Sequence, residues 1–506
     1  MAQRYGRFAV RGATLRGVEA VPVTVEVVVS QGLPGFHIVG MPDAAIKEAC
    51  ERIRAASRAC GFSMPREKVV VNLAPGSLKK SGSGFDLPIA VALLAATSQI
   101  NPAMVEHKML VGELSLDGEV RAVPGLLAYA LCARSLGEDF VCAPLAEGLV
   151  AIDGLDAYGV ATLSSFRQEE LDPQARAAKA PKTSTADFKD IAGHDVAKRA
   201  LQVAAAGGHG LLMMGPPGSG KTMLASRLPS ILPPLDERER IETAVIHSVA
   251  KEPIEGILNG VRPFRKPHHS ATLPGLVGGG NPMRPGEVTL AHNGVLFLDE
   301  LAEFRSAVLQ GIRQPLESGE VILTRADGSC RFPARFALVA ASNPCPCGYY
   351  GDDEHVCRCT IPQINTYQSR IGGPIMDRID IHLRVNRLST AEVLRTGTGT
   401  SSQSLREGVL AAREFRSWRE ARYPVKAGLG PTERLKQCCR IDEDDLRFFE
   451  ESVIASHLSG RAIMRTLALS RTIADLAQSE RVHQEFLCEA MVLRMRDGGE
   501  GLVHER

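Results

Sequence analysis

Residues 215–222 read GPPGSGKT, directly after the apolar run GLLMM at 210–214. Gly215, Gly218 and Gly220, interleaved with Pro216, Pro217 and Ser219, allow a backbone turn that offers successive N–H groups to phosphate oxygens. A helix opening at the end of that turn adds its dipole. Lys221 is then placed to reach the β- and γ-phosphates of ATP, and the Thr222 hydroxyl to ligate Mg²⁺. Farther on, GVLFLDEL (294–301) is an apolar strand ending in two acids. Asp299 would hold Mg²⁺, and Glu300 would polarise the attacking water as general base. A third strand, FALVAASNP (336–344), ends in Asn343, whose polar side chain can orient that water. Three strand ends in this order specify ATP hydrolysis.

Immediately after Asn343 come four cysteines in two C-x-C pairs: Cys345, Cys347, Cys357 and Cys359. Four thiolates can surround Zn²⁺ tetrahedrally, although one-residue spacing is tighter than the common C-x₂₋₄-C. Reduced thiols in a loop are the alternative, and His355 is a substitute ligand. Zinc here would be structural, stapling an excursion with few apolar residues. Its loss is expected to disturb Asn343 and to spare the phosphate-binding loop, which is built from earlier strands. The chain has 12 cysteines; the other eight show no paired pattern and are expected to be buried. They argue for reduced thiols or metal ligands, not a disulfide scaffold.

These residues need elements to position them. At 506 residues the chain exceeds one core, and 44% hydrophobic with 23% charged residues is ordinary for a folded globular protein. The expected fold class is α/β. Residues 1–170 read as an α/β domain, with a Val-rich strand at 21–30, a helix at 43–61 stopped by Gly61, a strand at 67–75 and a helix at 85–99. Residues 171–187 lack apolar periodicity and read as a linker. Residues 188–390 form the nucleotide-binding core, and 391–506 are mostly helical, interrupted by the polar stretch 395–404. The longest apolar run, PIAVALLAA at 88–96, is too short to span a bilayer, and the first residues lack a signal-peptide core. A cytoplasmic protein with no membrane partner is expected.

Two stretches are locally basic. Val261 to Arg284 carries four Lys/Arg, among them Arg265 and Lys266, and no acid; VGGG at 277–280 implies a mobile loop. His268 and His269 lack partners at ligand spacing and are expected to pack as polar residues. Residues 319–336 alternate about an Asp-Gly turn, a hairpin signal, with Arg325 and Arg331 flanking its tip. With a net charge of only +1, any nucleic-acid surface must be local.

The order of phosphate-binding loop, strand-DE, strand-SNP, MDRIDIH (376–382) and SGRAIMRTLALSRTIADL (459–476) resembles the AAA+ ATPases. The long spacer before the DE strand resembles the branch holding magnesium chelatase and the minichromosome-maintenance helicases. That resemblance implies that Arg378 is an arginine finger entering a neighbouring subunit's site. It implies that Arg461, with Arg465 and Arg471 as rivals, is a second sensor on a helical lid. A finger in trans implies a homo-oligomeric ring, most simply a hexamer. The basic stretches correspond to the helix-2 insert and the pre-sensor-1 hairpin, so Arg265, Lys266, Arg325 and Arg331 are expected to contact DNA; a merely solvated basic loop is the alternative.

In the N-terminal domain, LKKSGSGFDLPIAVALLAA (78–96) and VGELSLDGEVRAVPGL (111–126) resemble the Lon protease domain. Gly84 stands where that family carries its Ser nucleophile and Leu127 where it carries its Lys base. Ser81 and Ser83 lie out of register. Such a dyad cannot operate. Over nearly its whole length, with PHHS, LVGGG, AHNGVLFLDEL and NPCPCG as specific words, the chain resembles the ComM/YifB family of magnesium-chelatase-like ATPases. This resemblance implies a hexameric helicase acting on single-stranded or branched DNA, and branch migration during natural transformation alongside recombination proteins. A chelatase-type motor for metal insertion into a porphyrin and an ATP-dependent protease are the rival functions.

Overall fold

The computed structural model describes residues 6–144, 152–174, 187–280, 283–325, 328–352, 354–389 and 399–494. Its N-terminal part is built on an eight-stranded sheet. Arg7–Arg16 and Glu19–Ser30 form an antiparallel hairpin, continued by Lys68–Ala74 and by Gly35–Val39 at one edge. Val23, Val25, Val27 and Val29 alternate inward and are buried, as period-two burial requires. Asp43 caps the helix Ala44–Ala59 by accepting from the Ile46 N–H at 2.9 Å, and Gly61 at φ +73° lies just past its end. Every residue of the helix Asp86–Ala96 is buried. Apart from Asp86 at its first position the helix is apolar on every face, and such a helix is central to its core.

The nucleotide-binding core has five strands: β1 (Leu211–Met214), β2 (Phe264–Arg265), β3 (Val295–Leu298), β4 (Ala337–Ser342) and β5 (Ile381–Arg384). All pairs are parallel, in the spatial order β2-β3-β4-β1-β5. Continuous apolar runs suit a sheet covered on both faces, and all of β3 is buried. In a parallel sheet the carboxyl ends share one edge, so the segments following β1, β2, β3 and β4 emerge side by side. This mixed α/β arrangement fits a P-loop fold of the AAA+ kind.

Five helices between Ser402 and Val492 pack on the core, among them Ser402–Arg422 and Gly460–Leu476. Asp475 accepts from Arg419 Nε and Nη2 at 2.9 and 3.1 Å, a buried bidentate pair that ties those two helices together. The N-terminal domain meets the core where Leu126–Leu136 packs on Glu237–Ala250, sharing an apolar cluster that includes Leu127, Ala130 and Ala244. Among the described residues no helix is long and apolar enough to cross a membrane.

Three expectations change. Within the expected linker, Asp172–Pro173 pairs as a strand with Ala157–Gly159, while residues 175–186 lie outside the described residues. The polar stretch 395–404 lies outside them as far as residue 398, but Ser401 caps a helix that starts at Ser402. The glycines of VGGG build a short ribbon, with Gly278–Gly279 pairing with Arg284–Pro285. A Cβ on Gly278, which has φ +110°, would lie 2.8 Å from the Arg284 carbonyl oxygen, so close backbone approach explains that glycine.

Candidate nucleotide site

The loop after β1 runs through Gly218 and Gly220, at φ +80° and +83°, into the helix Lys221–Arg227. Gly215 allows the closest approach: a Cβ there would lie 2.0 Å from the Val385 carbonyl oxygen. Lys221 Nζ donates to the carbonyls of Gly215 and Pro216 at 2.7 and 2.8 Å and to Asn343 Oδ1 at 3.3 Å. Burial pulls its ammonium down to about 8, with Asp299 opposing that shift. Thr222 Oγ1 donates to Asp299 Oδ2 at 2.9 Å. One sheet edge therefore assembles Lys221, Thr222, Asp299 and Asn343. A hydroxyl and a carboxylate in contact, beside a loop of N–H groups and a desolvated ammonium, fit a magnesium–nucleoside triphosphate.

Glu300 sits in the left-handed region at φ +53° and donates its N–H to Asp299 Oδ1 at 3.1 Å. A non-glycine residue there is costly, and such outliers cluster at functional sites. Its carboxylate meets a residue that sequence reading left aside: Oε2 lies 3.2 Å from His269 Nδ1. Lys266 Nζ also donates to Asp299 Oδ2 at 2.9 Å. Lys266 is thus not offered to DNA in this arrangement; its charge is held by the acid of the nucleotide site. Arg265 is also relocated: it pairs with Glu287 at 2.7 Å and with Glu252 at 3.5 Å, half-buried. No sequence signal gives this away, because β2 is only two residues long.

The cysteines converge. Cys345 Sγ lies 3.4 Å from Cys347 Sγ and 3.7 Å from Cys357 Sγ, Cys347 and Cys357 are 3.6 Å apart, and the ligand atoms of all four cysteines lie within 4.8 Å. Zn–S bonds of ~2.3 Å in a tetrahedron put sulfurs about 3.8 Å apart, so the cluster fits zinc. The Tyr349 backbone N–H pulls Cys347 down to about 6. Cys357 accepts from the backbone N–H of Cys359, yet desolvation and the Cys347 and Cys345 sulfurs push it up to about 12. One thiolate forms readily and the next is resisted, as expected where like charges need a cation between them.

His355 is not a fourth-ligand substitute: it stacks on Tyr349 at 4.9 Å and meets Arg387 at 3.2 Å. Arg387 Nη2 in turn donates to the Pro217 carbonyl at 2.9 Å, and a Cβ on Gly348 would lie 2.5 Å from Pro217 Cδ. The cysteine loop therefore abuts the phosphate-binding loop, a contact that chain order did not suggest. Of the remaining cysteines, Cys142 and Cys439 are buried, but Cys488 is exposed.

Arg378 lies at the opposite edge of the sheet from Lys221, just before β5, with its carbonyl oxygen 3.6 Å from where a Cβ on Gly210 would stand. Its guanidinium binds Glu317 and the Pro374 carbonyl, and its side chain is 8% exposed. Burial lowers its pKa, and the neighbouring Arg313, Arg461 and Arg465 lower it further. Arg461 is exposed beside it, Arg465 donates to the Arg378 carbonyl at 2.7 Å, and Arg471 is buried against Asp475. Neither Arg378 nor Arg461 is near its own Lys221.

Glu320–Arg325 and Gly328–Pro333 form the expected hairpin. The Arg325 side chain lies outside the described residues. Arg331 pairs with Ile322, away from the turn, and lines a cleft of about 1150 Å³ with Glu19 and Arg134 of the N-terminal domain. Gly84 and Leu127, the residues expected to stand in place of a Lon-type dyad, are both buried. Ser81 N–H donates to Thr14 Oγ1 at 3.3 Å, the Ser83 hydroxyl binds Glu113, and Lys80 Nζ donates to the Gly40 carbonyl at 2.8 Å.

Comparison with known proteins finds similarity over most of the chain. Residues 187–393 match the family described as magnesium chelatase, subunit ChlI; residues 25–146 match subunit ChlI of Mg-chelatase, and 399–494 its C-terminal region. The chain is 42% identical over 489 residues to the uncharacterized protein YifB of Salmonella typhimurium, covering 95% of this chain and 96% of the relative. It is 42% identical over 490 residues to competence protein ComM of Haemophilus influenzae, covering 94% and 95%. The chain belongs to the ComM/YifB family. Within this magnesium-chelatase-like family it carries the core of an AAA+ ATPase. Similarity to the magnesium-chelatase 38 kDa subunit of Rhodobacter capsulatus is lower, 29% over 194 residues, or 34% of this chain and 54% of the relative.

Proposed function

We propose that this protein is an ATP-driven, ring-shaped DNA translocase or helicase that promotes branch migration during recombination in natural transformation. The observation that carries the reading is the site at the carboxyl edge of the core sheet, in a chain similar over 94% of its length to a protein named for competence. Lys221 and the backbone of 215–220 bind the phosphates. Thr222 and Asp299 would hold Mg²⁺, which supplies charge neutralisation between the β- and γ-phosphates when bound. Glu300 takes a proton from the attacking water, and Asn343 orients that water.

Arg378 and Arg461 face away from this site, so in our reading both act on the nucleotide of an adjacent subunit, which requires a ring. Arg378 must then leave Glu317 as subunits assemble. The exposed Arg331 and the hairpin tip with Arg325 line the DNA path. Cys345, Cys347, Cys357 and Cys359 would hold a structural zinc, which would fix the loop that abuts Pro217 and follows Asn343. We take the N-terminal domain to be Lon-like without peptidase activity, because Gly84 and Leu127 supply neither nucleophile nor base. A chelatase-type motor shares the core and the family models, but the similarity to the protein named as a chelatase subunit covers only a third of the chain.

The test is ATP hydrolysis with and without forked or single-stranded DNA. Stimulation of several-fold by DNA, weakened by Arg331→Ala, is expected. Hydrolysis indifferent to DNA at any salt concentration would remove DNA from the reading and leave an ATPase of another purpose.

A further inference from the structure

A second group of arginines gathers at the amino edge of the core sheet, opposite the edge that carries Lys221. There the helices Asp195–Gly207 and Ser402–Arg422 and the first residues of β3 and β4 border a recess of about 250 Å³. Arg262, Arg335 and Arg413 line it, and no acidic residue does. Arg262 is fully committed. Its Nη2 and Nη1 donate to Glu239 at 2.7 and 3.3 Å, Nη1 also to the Asn293 carbonyl at 2.6 Å, and Nε to the Pro233 carbonyl at 2.8 Å. Arg335 is committed in part, since Nη2 alone donates, to the two Glu242 oxygens at 3.2 and 2.9 Å. Arg413, half-buried, makes no hydrogen bond or ion pair among the described residues. Burial pulls its guanidinium down to about 10, with Arg262 adding to the shift, so it stays charged at neutral pH. The other polar side chains at the recess are engaged: the His209 ring meets Asp380 and Thr472 at 3.2 and 2.8 Å, and Asn293 Nδ2 donates to Thr243 at 3.2 Å.

We infer that Arg413 and Arg335 bind one small phosphate-type oxyanion in this recess and that the anion ties the helix Ser402–Arg422 to the core. A half-buried cation set beside Arg262 without an acid of its own costs stability, and an anion shared with it removes that cost. Glu239 and Glu242 balance two of the three arginines, so a single negative charge, as on dihydrogen phosphate or a phosphodiester, neutralises the third. A guanidinium offers five N–H donors in a rigid fork that matches phosphate oxygens. The five of Arg413 and the Nε and Nη1 of Arg335 come from two separate segments, which suits a tetrahedral oxyanion better than a planar carboxylate. The recess is smaller than the ~300–1,000 Å³ that encloses a drug-sized ligand, so an inorganic ion or one phosphate of a larger molecule fits and a whole nucleoside triphosphate does not. Arg413 belongs to the C-terminal helices and Arg335 to the segment entering β4. Glu242, the partner of Arg335, lies on the helix Glu237–Ala250 against which the N-terminal domain packs. One anion therefore joins the C-terminal helices to the element that carries the N-terminal domain.

The test uses the full-length chain carrying Lys221→Ala, which keeps phosphate off the nucleotide loop. Calorimetric titration with sodium phosphate at constant ionic strength should find one phosphate per chain. Adding Arg413→Gln should weaken that binding about tenfold or more, the loss expected for a charge-assisted pair. Thermal unfolding supplies a second readout that a merely structural arginine would not move. Replacing chloride by phosphate should raise the melting temperature of the Lys221→Ala chain and leave that of the doubly substituted chain in place. A short single-stranded oligonucleotide separates the two sources of phosphate. Oligonucleotide binding that falls in Arg413→Gln and is competed by phosphate assigns the recess to a nucleic-acid backbone, whereas unchanged oligonucleotide binding assigns it to the free ion. Phosphate binding that is equal with and without Arg413 overturns the site. An equal rise in melting temperature for both chains overturns the tie between the helix and the core.

Discussion

In the nucleotide-binding core, Lys221, Thr222, Asp299 and Asn343 leave three parallel strands at one edge and meet within hydrogen-bonding distance. In the N-terminal domain the sheet mixes antiparallel and parallel pairs, so its loops leave at both ends, and the polar groups that do meet are internal. Asp86 is fully buried and receives Arg52 Nε and Nη2 at 2.6 and 2.9 Å and the Leu114 N–H at 3.2 Å. Lys80 is buried on carbonyl oxygens. Both regions bury charge, but only the core leaves its charged groups on an edge where their partners can be exchanged for a ligand. A satisfied internal network holds a fold; an edge cluster with replaceable partners can do chemistry.

Substitution should separate the two. Lys221→Ala removes two or more charge-assisted contacts to phosphate worth ~4 kcal/mol together, so nucleotide affinity should fall about a thousandfold by equilibrium titration, with thermal stability kept. The ammonium, already pulled down to about 8 by burial, is poorly solvated where it stands, so the fold does not depend on it.

Arg52→Ala should do the reverse, lowering unfolding free energy by about 3 kcal/mol in denaturant titration while nucleotide affinity stays unchanged. Burial already holds Asp86 above the usual carboxylate range, with Arg52 pulling it back. Without Arg52 the folded state binds a proton at Asp86 more tightly than the unfolded chain does. The variant should therefore regain part of its loss as pH falls from about 7 to about 5, through protonation of the carboxylate. Loss of nucleotide binding in Arg52→Ala, with the fold intact by circular dichroism, would break the contrast between the regions.

A smaller effect belongs to the loop that links chemistry and scaffold. Cys357→Ser should reduce bound zinc from about one per chain to none and weaken nucleotide binding about tenfold, because the loop braces Pro217 through Gly348 and Arg387. Full nucleotide affinity in a metal-free preparation would leave the four cysteines as reduced thiols. Smallest is Gly84→Ser. Its Cβ would lie 3.2 Å from Val111 Cγ1, a local overpacking of about 1 kcal/mol, and with Leu127 in place of a base no peptide hydrolysis should appear. Cleavage of a fluorescent casein substrate by this variant would contradict a purely structural N-terminal domain.

Much of the site was legible because its parts are contiguous. The loop 215–222 names its own chemistry, β3 and β4 end in the residues that matter, and two C-x-C pairs announce a cluster. The helices at Ala44–Ala59 and Asp86–Ala96 and the hairpin at 320–333 follow from periodicity and turn residues. What escaped depends on contacts between distant segments. Lys266 reaches Asp299 because a strand of two residues, too short to show a pattern, aligns them. Arg387 reaches Pro217 across 170 residues, so chain order gave no hint that the cysteine loop touches the phosphates' cradle. Arg265 reads as a free cation until folding brings Glu252 and Glu287 against it.

In our reading the carboxyl edge of the core sheet hydrolyses ATP with Glu300 as base. Glu300→Gln, measured for both ATP binding and steady-state turnover in one preparation, tests it most directly. Affinity should stay within about threefold of the parent while turnover falls about a hundredfold or more, because phosphate contacts survive and activation of the water does not. Turnover at the parent rate in a chain that still binds ATP would remove Glu300 from the role of base.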